Sequence, residues 1–120
     1  MPTWRCWSGV AALGNKIYVT GGHYGVGGYG PYMSRVDCYD TNTNTWSQVA
    51  NMNIARSDHS MASLHGRLYA IGGRNDNDNG YVDSVEVYDP DNDSWTLLQH
   101  KLDGEVYYTA ACLINKYHVE

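Results

Sequence analysis

Phenylalanine is absent from this chain, although four tryptophans and eleven tyrosines are present. Every aromatic ring therefore carries a polar edge, an indole N–H or a phenol O–H, which suits half-buried strands and binding loops. Charge is scarce, at 18% of residues, while hydrophobic content is 42%; that balance argues against a disordered chain. Basic residues are few, eight against thirteen acids, for a net charge of −5. With no basic stripe to displace counterions, no nucleic-acid partner is expected. No apolar run approaches the roughly 20 residues of a membrane helix. The opening MPTWRCWSG also lacks the apolar core of a signal peptide. No membrane partner is expected. Cysteine is limited to Cys6, Cys38 and Cys112, whose spacing fits neither a zinc nor a redox pattern. Cys38 and Cys112 fall in apolar strand text and read as small core residues. Free thiols without a secretory signal favour a cytoplasmic home.

What the chain does contain is strand text broken by turns. Residues 60–73, SMASLHGRLYAIGG, carry the apolar run Leu68, Tyr69, Ala70, Ile71, closed by Gly72-Gly73. A short run bounded by turn residues suits a strand buried on both faces. Residues 84–88 alternate, with Val85 and Val87 on one side and Ser84, Glu86 and Tyr88 on the other, which predicts a two-faced strand. Asp89-Pro90-Asp91-Asn92-Asp93 is dense turn chemistry. Residues 95–98 and 60–64 supply two more strands. Together the four predict one antiparallel sheet.

The same text occurs earlier. GVAALGNKIYVTGG at 9–22 lies over SMASLHGRLYAIGG, so that Leu13, Tyr18 and Gly21-Gly22 match Leu64, Tyr69 and Gly72-Gly73 at an offset of 51. Val36, Tyr39 and Trp46 match Val85, Tyr88 and Trp95 at an offset of 49, and Met1 and Arg5 match Met52 and Arg56 at 51. The difference of two falls in the loop after the glycines, where insertions are tolerated. The result is an internal repeat of about 50 residues, the length of a kelch propeller blade.

A Gly-Gly doublet after a buried strand, then a tyrosine, then a tryptophan seven residues on, resembles the kelch repeat. Gly21-Gly22, Tyr39 and Trp46 carry it in one copy, and Gly72-Gly73, Tyr88 and Trp95 in the other. Met-x-x-x-Arg before each repeat adds to the likeness, which covers nearly the whole chain. The expected fold is all-β: a partial kelch β-propeller of two four-stranded antiparallel blades, residues 1–49 and 50–98, with 99–120 as a connecting loop and closing strand. Inner strands are expected at 7–13 and 60–64, and an extra C-terminal strand at 108–114. Glu105 stands where Arg56 would be, and no Gly-Gly follows the last strand. A closed propeller takes typically four to eight blades, so the chain reads as the C-terminal end of a larger ring. The partners implied are further blades, or self-association into a ring.

The resemblance is closest to kelch-like proteins of the BTB–BACK–kelch type, whose propeller captures a substrate for a Cullin-3 ubiquitin ligase. It implies a protein-interaction module without catalysis or cofactor. An actin-associated kelch protein is the alternative within binding. A kelch-propeller enzyme of oxidase type is the alternative outside it, and would need convergent titratable groups.

Three motifs point elsewhere and are outweighed. Residues 75–86 place oxygen side chains and a glycine as a calcium loop does, but the flanks read as strands where that loop needs helices. Residues 25–30 spell G-x-G-x-x-G without the following helix that a phosphate site needs. Ser57-Asp58-His59 gathers triad residue types, yet adjacency is not triad geometry. His59 and His65 read as surface or strand-end residues.

Residues that recur in both copies are expected to pack: Tyr18, Tyr69, Tyr39, Tyr88, Trp46 and Trp95. Binding is expected where the copies differ, in the loops after the glycines and before each inner strand. Those loops hold Trp7, His23, Tyr24, Tyr29, Tyr32, Asp58, Arg74, Asn75, Asp76 and Tyr107; Trp, Tyr and Arg are enriched at hot spots. Trp7 and Asp58 occupy one repeat position, and His23 and Arg74 another, so all four are expected exposed. The guanidinium fork of Arg74 suits a carboxylate or phosphate, which makes an acidic protein or peptide segment the expected ligand.

Overall fold

The turns are the sharpest local instruction. In a computed structural model describing residues 5–24, 31–75, 80 and 82–98, His65 and Gly66 both take positive φ, 51° and 75°. A two-residue hairpin turn of this hand matches the twist of its flanking strands, here β7 (Ser60–Leu64) and β8 (Arg67–Ile71). Two wider turns repeat one device. Tyr39 Oη donates to Asn44 Oδ1 and Tyr88 Oη donates to Asp93 Oδ1, each at 2.8 Å. Asn44 and Asp93 both sit at positive φ, which short polar side chains tolerate. Asp40 and Asp89 accept the amides two residues on, as Asx turns do.

The remaining strands are β1 (Arg5–Cys6), β2 (Gly9–Leu13), β3 (Lys16–Thr20), β4 (His23–Tyr24), β5 (Val36–Asp40), β6 (Thr45–Val49), β9 (Val85–Asp89) and β10 (Ser94–Leu97). They form two four-stranded antiparallel sheets, ordered β2-β3-β5-β6 and β7-β8-β9-β10. Both sheets match the expectation. The Tyr-to-Trp spacing has a direct cause: Tyr39 pairs with Trp46, and Tyr88 with Trp95, across adjacent strands. Each pair of rings stands 5.0 Å apart.

Two features differ from expectation, and a third expected element is untested. The first inner strand begins at Gly9, because Trp7 takes a left-handed backbone with φ 59°. A small unforeseen ladder joins β1 to β4, pairing Arg5 with Tyr24 and Cys6 with His23. The expected strand at 108–114 lies outside the described residues.

The two sheets stack face to face. Tyr18, Val36 and Cys38 from the first meet Leu68, Ala70, Tyr88 and Trp95 from the second, with Met52 between them. Tyr18 and Tyr88 touch at 5.5 Å between ring centroids. Burial raises the Tyr18 phenol to about 12, with nearby Cys38 adding to it. Trp95 is buried and donates its indole N–H to the Ala50 carbonyl at 2.9 Å. Trp46, expected to pack in the same way, is 41% exposed. Its repeat partner is core; Trp46 itself lies on the outer flank.

Candidate functional site: a loop face over buried ion pairs

Each blade is locked by an arginine from the segment ahead of its inner strand. Arg56 is fully buried and donates to the carbonyls of Gly72 and Ser84, both at 2.9 Å. It also pairs with Glu86 at 2.8 Å. Glu86 in turn accepts the amides of Asn53 and Ile54, at 2.6 and 3.0 Å. Arg5 repeats the pattern, donating to the carbonyls of Gly21 and Arg35 at 3.0 Å and pairing with Asp37. Here Arg35 adds a second guanidinium on Asp37. Pro2 stands where Asn53 does in the other copy and has no N–H to give. Burial, with the Arg35 charge second, lowers the Arg5 guanidinium to about 10. Burial also lowers that of Arg56, against the pull of Glu86.

These acids were legible as repeat positions, since Asp37 and Glu86 stand 49 apart, but nothing in the local text marks them as buried partners of arginine. Glu86 is therefore not a calcium ligand. Asn75, at the other end of that candidate loop, is also committed: it is buried, and its amide donates to the Ala55 carbonyl at 2.8 Å. Residues 76–79 of the loop lie outside the described residues.

The glycine pairs let two loops meet. Ser57 and Arg74 exchange both backbone hydrogen bonds, at 3.0 and 2.7 Å. A Cβ on Gly73, which has φ 106°, would stand 2.7 Å from the Ser57 carbonyl, so only glycine allows the approach. The Asp58 amide donates to the Trp7 carbonyl at 3.0 Å, joining the corresponding loops of the two blades. The loops before the inner strands and the loop after Gly73 thus form one face.

On that face Trp7 is 52% exposed, and Asp58 and Arg74 are exposed. His23, expected to share this exposure, is buried. Its β4 position folds it between Trp7, edge-on at 5.2 Å, and Tyr32 at 4.0 Å. Tyr32 is half-buried. Asn75 is likewise a structural residue rather than an exposed one. Tyr24 contributes its backbone to β4. Tyr29, Asp76 and Tyr107, and the glycine-rich stretch 25–30, lie outside the described residues.

Ser57, Asp58 and His59 do not converge. Asp58 is exposed on a left-handed backbone, whereas Ser57 and His59 are buried. The His59 Nε2 faces Thr20 Oγ1 at 2.7 Å. This overturns the surface position expected for His59: it bridges the two sheets. Burial, with the Arg56 charge second, pushes its pKa down to about 3, so it is neutral when folded. The unfolded chain then binds the extra proton between about pH 6.5 and 3, and stability falls as pH drops through that window. Between pH 7 and 5 the expected loss is about 2 kcal/mol, read from urea melts. His59→Gln should remove most of that slope; an unchanged slope would assign it to other groups.

Two stacked four-stranded sheets, with inner strands neighbouring and loops gathered on one face, are blades of a β-propeller. The chain belongs to the kelch-repeat family: residues 1–118 match the KLHDC2/KLHL20/DRC7 Kelch-repeats domain. It is similar to Kelch-like protein 22 of Rattus norvegicus, 32% identical over 113 residues that cover 94% of this chain and 18% of that protein. Kelch-like protein 36 of Bos taurus is 39% identical over 99 residues, covering 82% and 16%. Kelch repeat and BTB domain-containing protein 13 of Homo sapiens is 37% identical over 91 residues, covering 76% and 19%. The chain spans less than a fifth of the length of these relatives. Among the described residues no helix is long and apolar enough to cross a membrane.

Proposed function

We propose that this chain is part of a propeller that captures a protein or peptide ligand, in the cytoplasm, as the substrate-recognition element of a Cullin-3 ubiquitin ligase adaptor. Residues 1–49 and 50–98 are its two blades, and 99–120 supply a connecting loop and closing strand. Further blades, or further copies of the chain, complete the ring. The observation that carries the binding reading is the contrast between repeat positions. Those that recur are mostly turned inward, as ion pairs, ring stacks and turn clamps. At the position where Trp7 and Asp58 replace one another, both side chains face outward. A position kept for packing would not accept both. The kelch-like and BTB-containing relatives favour the adaptor over an enzyme.

Arg74, exposed and paired through its backbone with Ser57, offers a planar fork to an acidic or phosphorylated segment. Arg74→Ala is expected to weaken binding of such a peptide by about 1–3 kcal/mol, the range for losing a charged hydrogen-bond partner. The melting temperature should fall far less than binding does, because the backbone pairing with Ser57 survives. Equal loss of folding and binding would make Arg74 a structural residue and sink the reading.

A further inference from the structure

We propose that Trp7 and Asp58 form a subsite for a basic side chain, so that the bound segment carries a lysine or arginine at a fixed position. The inference rests on the loop-face reading above and adds a partner chemistry that Arg74 does not supply.

The backbone is the first observation. Trp7 has φ 59° and Asp58 has φ 54°. Aspartate tolerates the left-handed region, but for a bulky side chain it is a strained outlier. Burial does not repay that strain, since Trp7 is 52% exposed. Glycine or asparagine would meet the backbone requirement at lower cost. The side chain itself is therefore what the position keeps.

The second observation is how the ring is held. His23, buried, meets the indole edge-on at 5.2 Å and is itself backed by Tyr32 at 4.0 Å. An exposed indole fixed from behind is preorganised, so little rotamer freedom is lost on binding. Its face carries the negative quadrupole that attracts ammonium and guanidinium groups, and tryptophan does this best among the aromatics.

The third is charge. The Asp58 amide donates to the Trp7 carbonyl at 3.0 Å, so the two residues are neighbours on the face. Among the described residues the Asp58 carboxylate has no hydrogen bond or ion pair, and it is exposed. An indole face beside an unpaired carboxylate selects a cation over a neutral or acidic side chain. The net charge of −5 steers such a ligand toward the protein.

The test is selection of random peptides on the full chain, followed by affinity measurement with the synthetic winners. The expected winners share a lysine or arginine. Changing that residue to glutamine, or changing Asp58→Asn or Trp7→Asn in the protein, should each weaken binding about tenfold, the scale of one cation–π contact joined to one charge pair. Asparagine tolerates the left-handed backbone, so both variants should keep the parent melting temperature. Combining Asp58→Asn with the peptide change should cost little more than either alone, because both remove one contact. Winners that lose affinity with Arg74→Ala but contain no basic residue, or that ignore Asp58→Asn, would overturn this subsite and leave the loop-face reading standing. Winners insensitive to Trp7, Asp58 and Arg74 alike would overturn both.

Discussion

Replacing Arg56 with methionine is expected to lower the unfolding free energy by about 3–5 kcal/mol, the range for removing one partner of a buried ion pair. The change strands Glu86, which is fully buried, and strips the carbonyls of Gly72 and Ser84 of their donor. Uncompensated buried charge dominates that total. Arg56→Met combined with Glu86→Leu should therefore recover part of the loss, although the two carbonyls and the amides of Asn53 and Ile54 stay unpaired. Arg5→Met should cost less than Arg56→Met, because Arg35 remains on Asp37. Urea melts of the three variants and the parent check the order. A double variant no better than Arg56→Met would show that the bonds to the backbone, not the ion pair, carry the lock.

Trp95→Ala is the second large effect, at about 3–5 kcal/mol for a buried aromatic. Trp95 sits in the shared core against Tyr88 and gives its N–H to Ala50, so truncation removes packing from both sheets and leaves the half-buried Ala50 carbonyl without that donor. Trp46→Ala, at the matching position of the other blade, should cost only about 1 kcal/mol, in line with its partial exposure. The comparison isolates environment from residue type, since the rings of Tyr39 and Trp46 are as close as those of Tyr88 and Trp95. Equal losses would mean that the cross-strand stack, rather than the interface between sheets, sets the value of the tryptophan. When further blades or copies cover the flank, the Trp46 effect should rise toward that of Trp95.

Periodicity and turn chemistry made the eight main strands legible, because both are local: alternation sets a face, and Asp, Asn and Gly set where the chain reverses. The Trp7 boundary was not legible. Nothing in a tryptophan announces positive φ, and the Asp58 amide that bonds the Trp7 carbonyl comes from a distant part of the chain. Burial within a repeat was legible only on average. Trp46 and Trp95 share a text but not a neighbour, and His59 reads as a strand-end residue until Thr20 of the other sheet is placed against it. The site divides in the same way. Asp58, Arg74 and Trp7 were found because the two copies disagree there. His23 and Asn75 were misplaced because disagreement between copies does not by itself mean exposure. The ion pairs were the largest omission, since each joins residues about 30 apart and no local rule links them.

The segment that carries Arg56 serves two masters. Its side chains belong to the second sheet, through Glu86, Ser84 and the Gly72 carbonyl. Much of its backbone belongs to the first, where the Met52 amide bonds Ser34, the Arg56 amide bonds Met33, and the Gly22 amide bonds the Arg56 carbonyl. Neither sheet can open without releasing that segment, and releasing it costs the other sheet its lock. The free energy is thus stored between neighbours as much as within them. Unfolding should run along the repeats as a zipper whose teeth are these shared segments, each lost tooth loosening the next.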